Sequence, residues 1–72
     1  SRGRADAVVK TPKFVYVFEF KLKGTAGQAL QQIEEKGYTL PYVAEGRQVI
    51  KVGVEFSAEK RNVERWMVEE EK

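Results

Sequence analysis

Three charged side chains stand out for their type and spacing: Asp6, Glu19 and Lys21. Glu19 and Lys21 interrupt the apolar run Phe14 to Leu22, FVYVFEFKL. Side chains alternate along an extended chain, so Val15, Val17, Glu19 and Lys21 share one face while Phe14, Tyr16, Phe18, Phe20 and Leu22 share the other. An acid and a base on one apolar face are either a costly buried ion pair or a working site. Asp6 lies in a second extended segment, DAVVK, before a turn. If that segment folds back with Lys10 opposite Val15, Asp6 falls opposite Glu19; a slip of one residue sends it through to the other face. Two carboxylates converging beside an ammonium group make a cradle for a hard divalent cation, which takes one or two carboxylates and keeps several waters. The chemistry on offer is activation of a water molecule and neutralisation of developing negative charge.

Composition narrows the alternatives. The 72 residues include no cysteine and no histidine, which excludes disulfides, zinc sites built on thiolate or imidazole, and histidine-based nucleophilic triads. Carboxylate, lysine, hydroxyl and amide remain, a set suited to magnesium or manganese. A formal charge of +2 neither announces nor forbids a nucleic-acid partner. No apolar run reaches the roughly 18 residues of a membrane span, and no signal-peptide pattern opens the chain, so the expectation is a soluble cytoplasmic protein without a membrane partner. The length predicts one domain near the lower limit for an unaided core. The opening SRGRAD has no initiator methionine and runs directly into the candidate site, which reads as a fragment of something longer.

The elements that must position these residues follow from pattern. Asp6 to Lys10 is a short strand, Thr11-Pro12-Lys13 a turn, and Phe14 to Leu22 a central strand apolar on both faces. Thr25-Ala26-Gly27-Gln28 reads as a capping box, and Ala26, Ala29, Leu30 and Ile33 recur at helical spacing. One long helix is expected from about Thr25 to Lys36, stopped by Gly37, with Gln32 at the rim of its buried stripe. Gln48 to Phe56 alternates again as a strand, and the connection through the helix suits a parallel crossover. Val63 to Glu69 returns as an antiparallel edge strand packed by Trp66 and Met67, and the ending EEEK is expected as a frayed tail. The order strand, strand, helix, strand, strand is an α+β or mixed α/β unit. One helix covers one face, so the other calls for a preceding helix or a second copy, and a homodimer or higher homo-oligomer is expected.

Asp6, then Glu19-Phe20-Lys21 on a strand, then a helix carrying Gln32, resembles the PD-(D/E)xK nuclease superfamily. The words Gly3-Arg4-Ala5-Asp6, Val15 to Leu22, Ala29-Leu30-Gln31-Gln32-Ile33, Lys36-Gly37-Tyr38 and Arg61-Asn62 are similar to a bacterial branch found C-terminal to AAA-type ATPase domains. The resemblance implies a restriction-endonuclease-like mixed β-sheet flanked by helices, and a domain excised from the C-terminal part of a longer protein with an AAA-type partner domain. It implies magnesium or manganese held by Asp6 and Glu19, Lys21 as catalytic lysine, Gln32 as auxiliary residue and DNA as substrate. The Phe20 carbonyl, lying between the motif residues, is a further candidate ligand. Arg4, Lys23 and Lys36 are candidates for phosphate contacts. Ala5 replaces the family's usual proline, and the family's first helix lies outside these 72 residues. The alternatives are a structural Glu19/Lys21 pair, an exposed amide at Gln32, solvated surface lysines, and a non-catalytic, nuclease-derived interaction module.

Overall fold

A computed structural model describes residues 3–71. Strands β1 (Ala7–Lys10), β2 (Phe14–Lys21), β3 (Gln48–Ser57) and β4 (Asn62–Glu70) form one sheet in that order, with helix α1 (Ala26–Lys36) between β2 and β3. Strands β1 and β2 are antiparallel, β2 and β3 parallel, β3 and β4 antiparallel. This is the expected mixed α+β order. Ser1, Arg2 and Lys72 lie outside the described residues, and with them part of the basic arm and the last residue of the acidic ending.

The β1–β2 hairpin is closed by Thr11, whose N–H donates to the Phe14 carbonyl at 2.8 Å and whose hydroxyl accepts the Phe14 N–H at 2.9 Å. That closure sets Lys10 opposite Val15 and Ala7 opposite Phe18. Helix α1 starts in a full capping box: the Thr25 hydroxyl accepts the Gln28 N–H at 3.0 Å, and the Gln28 side chain accepts the Thr25 N–H at 2.8 Å. It ends at Gly37, which takes a left-handed φ of 65° that costs a residue without Cβ little. The helix has 11 residues, about three turns, so it is short where a long one was expected. The signals that start and stop it leave no room for more.

The helix lies over the Val15, Val17 and Glu19 face of β2. Val15, Val17, Leu30, Ile33, Tyr38 and Val49 form the core, with Ala5, Val8 and Tyr42 packed at its edge. Full burial of a valine or isoleucine side chain contributes about 1.5–3 kcal/mol, so these residues hold the two layers together. The approach is closest at Gly53, where a Cβ would stand 2.3 Å from the Ala26 carbonyl oxygen.

Among the described residues no second helix covers the other face of the sheet. Aromatic rings pave it instead: Phe14 and Tyr16 at 5.8 Å between centroids, Phe18 and Phe20 at 6.0 Å, Phe20 and Phe56 at 5.8 Å. Trp66 and Met67 do not pack the last strand as expected. Trp66 is 66 % exposed because no layer covers the open face of the sheet at the edge strand β4. Met67, opposite Gly53 on the helix side beside Gly27 and Leu30, is also left exposed at the rim of the helix.

The acidic ending is not frayed over the described residues. Glu69 and Glu70 continue β4, the Glu71 N–H donates to the Val49 carbonyl at 2.9 Å, and the Thr39 hydroxyl donates to the Glu71 carboxylate at 2.8 Å. The cause is Lys51, whose buried ammonium group lies 2.6 Å from Glu34, 2.7 Å from Glu69 and 3.9 Å from Glu71. It brings a buried countercharge to Glu69 and Glu71 from a strand distant in sequence. No helix is long and apolar enough to cross a membrane.

Candidate active site

The hairpin register decides whether the acids meet. Asp6 immediately precedes β1, and continuing the pairing from Lys10–Val15 to Ala7–Phe18 brings it beside Glu19. Its N–H donates to the Phe18 carbonyl at 3.1 Å, and its carboxylate accepts the Phe20 N–H at 2.9 Å. Asp6 is exposed whereas Glu19 is 3 % exposed. The carboxylate pair is therefore closed on the core side and open on the β1 side.

Helix α1 supplies the third member. The Gln32 side-chain amide donates from Nε2 to Glu19 Oε2 at 2.7 Å, and its Oε1 accepts a hydrogen bond from the Lys21 ammonium group. One amide thus ties the acid and the base of β2 together, and Tyr38 adds a hydroxyl 3.3 Å from the same Nε2. All four residues singled out in the sequence, Asp6, Glu19, Lys21 and Gln32, lie together on the helix-covered face. Arg4, Lys23 and Lys36 are exposed, and no contact joins Lys23 or Lys36 to this cluster among the interactions described.

The electrostatics differ for the two acids. Burial, and next the negative charge of Asp6, push the Glu19 carboxyl above its ordinary pKa. Partial desolvation acts upward on Asp6 as well, but the Phe20 N–H works against it and the carboxyl lies below its ordinary value. Glu19 Oε1 is buried without a hydrogen-bond partner. A buried carboxylate oxygen with no donor is expensive, and a cation between the two acids would remove that cost. No group of three or more carboxylate, thiolate or imidazole side chains stands ready for a metal among the described residues. Two carboxylates with water and phosphate oxygens nevertheless make a set that magnesium accepts, so the donor chemistry fits.

Two clefts run along the opposite, α1–β4 side. One is lined by Lys51 with Glu34, Glu69, Glu70 and Glu71, the other by Leu30, Met67 and their neighbours. Neither contains the acid pair. Tyr38 and Gly53 are the residues that sequence reading missed. A large side chain directly after a glycine helix stop is a signal for Tyr38, since that position folds back onto the helix. Nothing local marks Gly53, whose close approach depends on a helix far away in sequence.

A family model described as the PD-(D/E)XK nuclease superfamily matches residues 1–66. A protein of Azotobacter chroococcum mcd 1, described as an uncharacterized protein in the vnfD 5′ region, is 46% identical over 71 residues. The match covers 96% of this chain and 14% of that relative, so the chain spans about a seventh of the relative's length. No solved structure matches the chain.

Proposed function

From the premise that the chain belongs to the PD-(D/E)XK nuclease superfamily, we propose that it is a magnesium-dependent nuclease-like domain that hydrolyses phosphodiester bonds of DNA. The single observation that carries this reading is the Gln32 amide joining Glu19 to Lys21 beside Asp6.

Asp6 and Glu19 would hold magnesium or manganese. The Phe20 carbonyl is a third donor, because the N–H and C=O of one strand residue point to the same edge and the Phe20 N–H already points at Asp6. When bound, the cation acidifies a water and neutralises charge on the phosphate. Lys21 orients that water and offsets charge on the non-bridging oxygens. The water oxygen forms its bond to phosphorus as the P–O ester bond breaks; the proton it loses passes to solvent, and the departing oxygen takes one back. Gln32 holds Lys21 against Glu19 throughout. Arg4, Lys23 and Lys36 are the cations proposed to meet the DNA backbone, and an AAA-type ATPase domain in a longer parent is the proposed partner.

Glu19→Gln and Lys21→Ala should each abolish cleavage with magnesium or manganese while circular dichroism stays that of the parent. Cleavage that persists in both variants would refute the assignment. A second reading, a nuclease-derived interaction module, draws on the exposed aromatic face and Trp66. Manganese titration separates the two: an active site binds the ion and loses it in Glu19→Gln, whereas an interaction module binds none.

A further inference from the structure

We propose that Tyr38 is a positioning residue of the site, acting through its hydroxyl on the Gln32 amide. The inference rests on the nuclease reading for its consequence in rate, but its geometry is independent of that reading.

Gln32 has two N–H donors and one carbonyl oxygen to place. One N–H goes to Glu19 at 2.7 Å, the oxygen goes to Lys21, and the second N–H has the Tyr38 hydroxyl at 3.3 Å. An amide held at three points has one orientation and one rotamer, whereas one held only by Glu19 and Lys21 can still swing about the line between them. Because Gln32 is half-buried, water competes for the second N–H wherever no protein group takes it. The ring of Tyr38 is only 3 % exposed and belongs to the core with Ile33 and Val15.

The main chain places this hydroxyl. Gly37 reverses the chain at the end of α1, and the Tyr38 N–H returns to the Ile33 carbonyl at 3.1 Å. The next residue, Thr39, is buried and bonded to Glu71, so the segment is fixed on both sides. The ring alone would fill the core. The hydroxyl is the part that reaches the site, and phenylalanine would pack equally well without reaching it.

The test is Tyr38→Phe, read first by nitrogen-15 NMR of the Gln32 side-chain amide in metal-free protein. The two N–H resonances should move toward the positions of a free glutamine and exchange faster with water. Gln32→Ala should reciprocally shift the carbon resonance bearing the Tyr38 hydroxyl. If the glutamine resonances stay put in Tyr38→Phe and the tyrosine resonance stays put in Gln32→Ala, the proposal is overturned. A folding defect in the first variant leaves the second measurement to decide. With manganese and DNA, Tyr38→Phe should lower kcat about 2- to 12-fold, the loss of one ordinary hydrogen bond. It should lower kcat no further in the Gln32→Ala background, because residues acting through one contact are not additive. Equal losses in both backgrounds would mark a merely structural tyrosine. Resonances that respond as expected in a protein that binds no manganese would instead retain the positioning role and remove the nuclease reading.

Discussion

At the scale of single residues, the most demanding side chain outside the candidate site is Lys51. Its ammonium group is buried, which by itself lowers an amine's pKa, yet the hydrogen bonds it donates to Glu34 and Glu69 and the charge of Glu71 outweigh that and raise it above 10.5. A group whose folded pKa is raised adds stability that is complete below its unfolded value and is lost as pH rises through the folded one. Resistance to urea should therefore fall above about pH 10.5, and a Lys51→Met variant measured alongside should show a smaller fall. An equal fall in both would assign the effect to other groups. Below that range Lys51→Met should cost about 1–2 kcal/mol, less than a fully buried pair, because Glu34 and Glu69 remain more than half exposed. The sequence did not disclose this group. Lys51 alternates with valines on a strand and looks like a solvated surface charge until the glutamates of a helix and of the chain's end converge on it. Glu19 and Asp6 were legible, because alternation fixes the face of a strand residue and a tight turn fixes the register.

At the scale of elements, the site depends on how closely α1 approaches the sheet. Gly53 is paired with Glu19 across the parallel β2–β3 ladder, so the point where the helix touches the strands lies next to the acid that Gln32 must reach. Gly53→Ala sets a methyl group against the Ala26 carbonyl and the Ala29 side chain. It should cost about 1–3 kcal/mol by overpacking, read as an earlier urea midpoint. It should also weaken the Gln32 bridge by lifting the helix, visible as a change in the same side-chain amide resonances. Unchanged resonances would show that the helix settles elsewhere without moving Gln32. Strand order, pairing directions and both helix caps could be read from sequence because each has a local cause. Strand β4 was legible to within one residue at each end. The docking of Glu70 and Glu71 at its end was not, since glutamates are poor strand formers and their partners Gln48, Lys51 and Thr39 lie far away in sequence.

For the whole molecule, the sheet is covered on one side and open on the other. Phe20 is 39 % exposed, Leu22 70 % and Val68 58 %, a contiguous apolar surface of the kind that drives association. In a solution of this chain alone the occupant at hand is a second copy. Light scattering should give a mass above the monomer that rises with concentration, and Trp66→Lys, placing a charge at one margin of that surface, should shift it downward. A constant monomer mass at every concentration would count against burial of this face between copies. The doubly apolar pattern of β2 made the need for a second cover legible, although no residue in it says what the cover is.

Strand β1 has four residues and one neighbour, and Asp6 hangs from its outer end. Half of the acid pair is thus entrusted to the least anchored piece of the sheet, while Glu19 sits in an interior strand. Edge segments peel away at lower free energy than the centre, so the paired arrangement can come apart by loosening this hairpin alone, with the helix and the other three strands still in place. Competence of the site and integrity of the fold are, for that reason, two separate properties of the molecule.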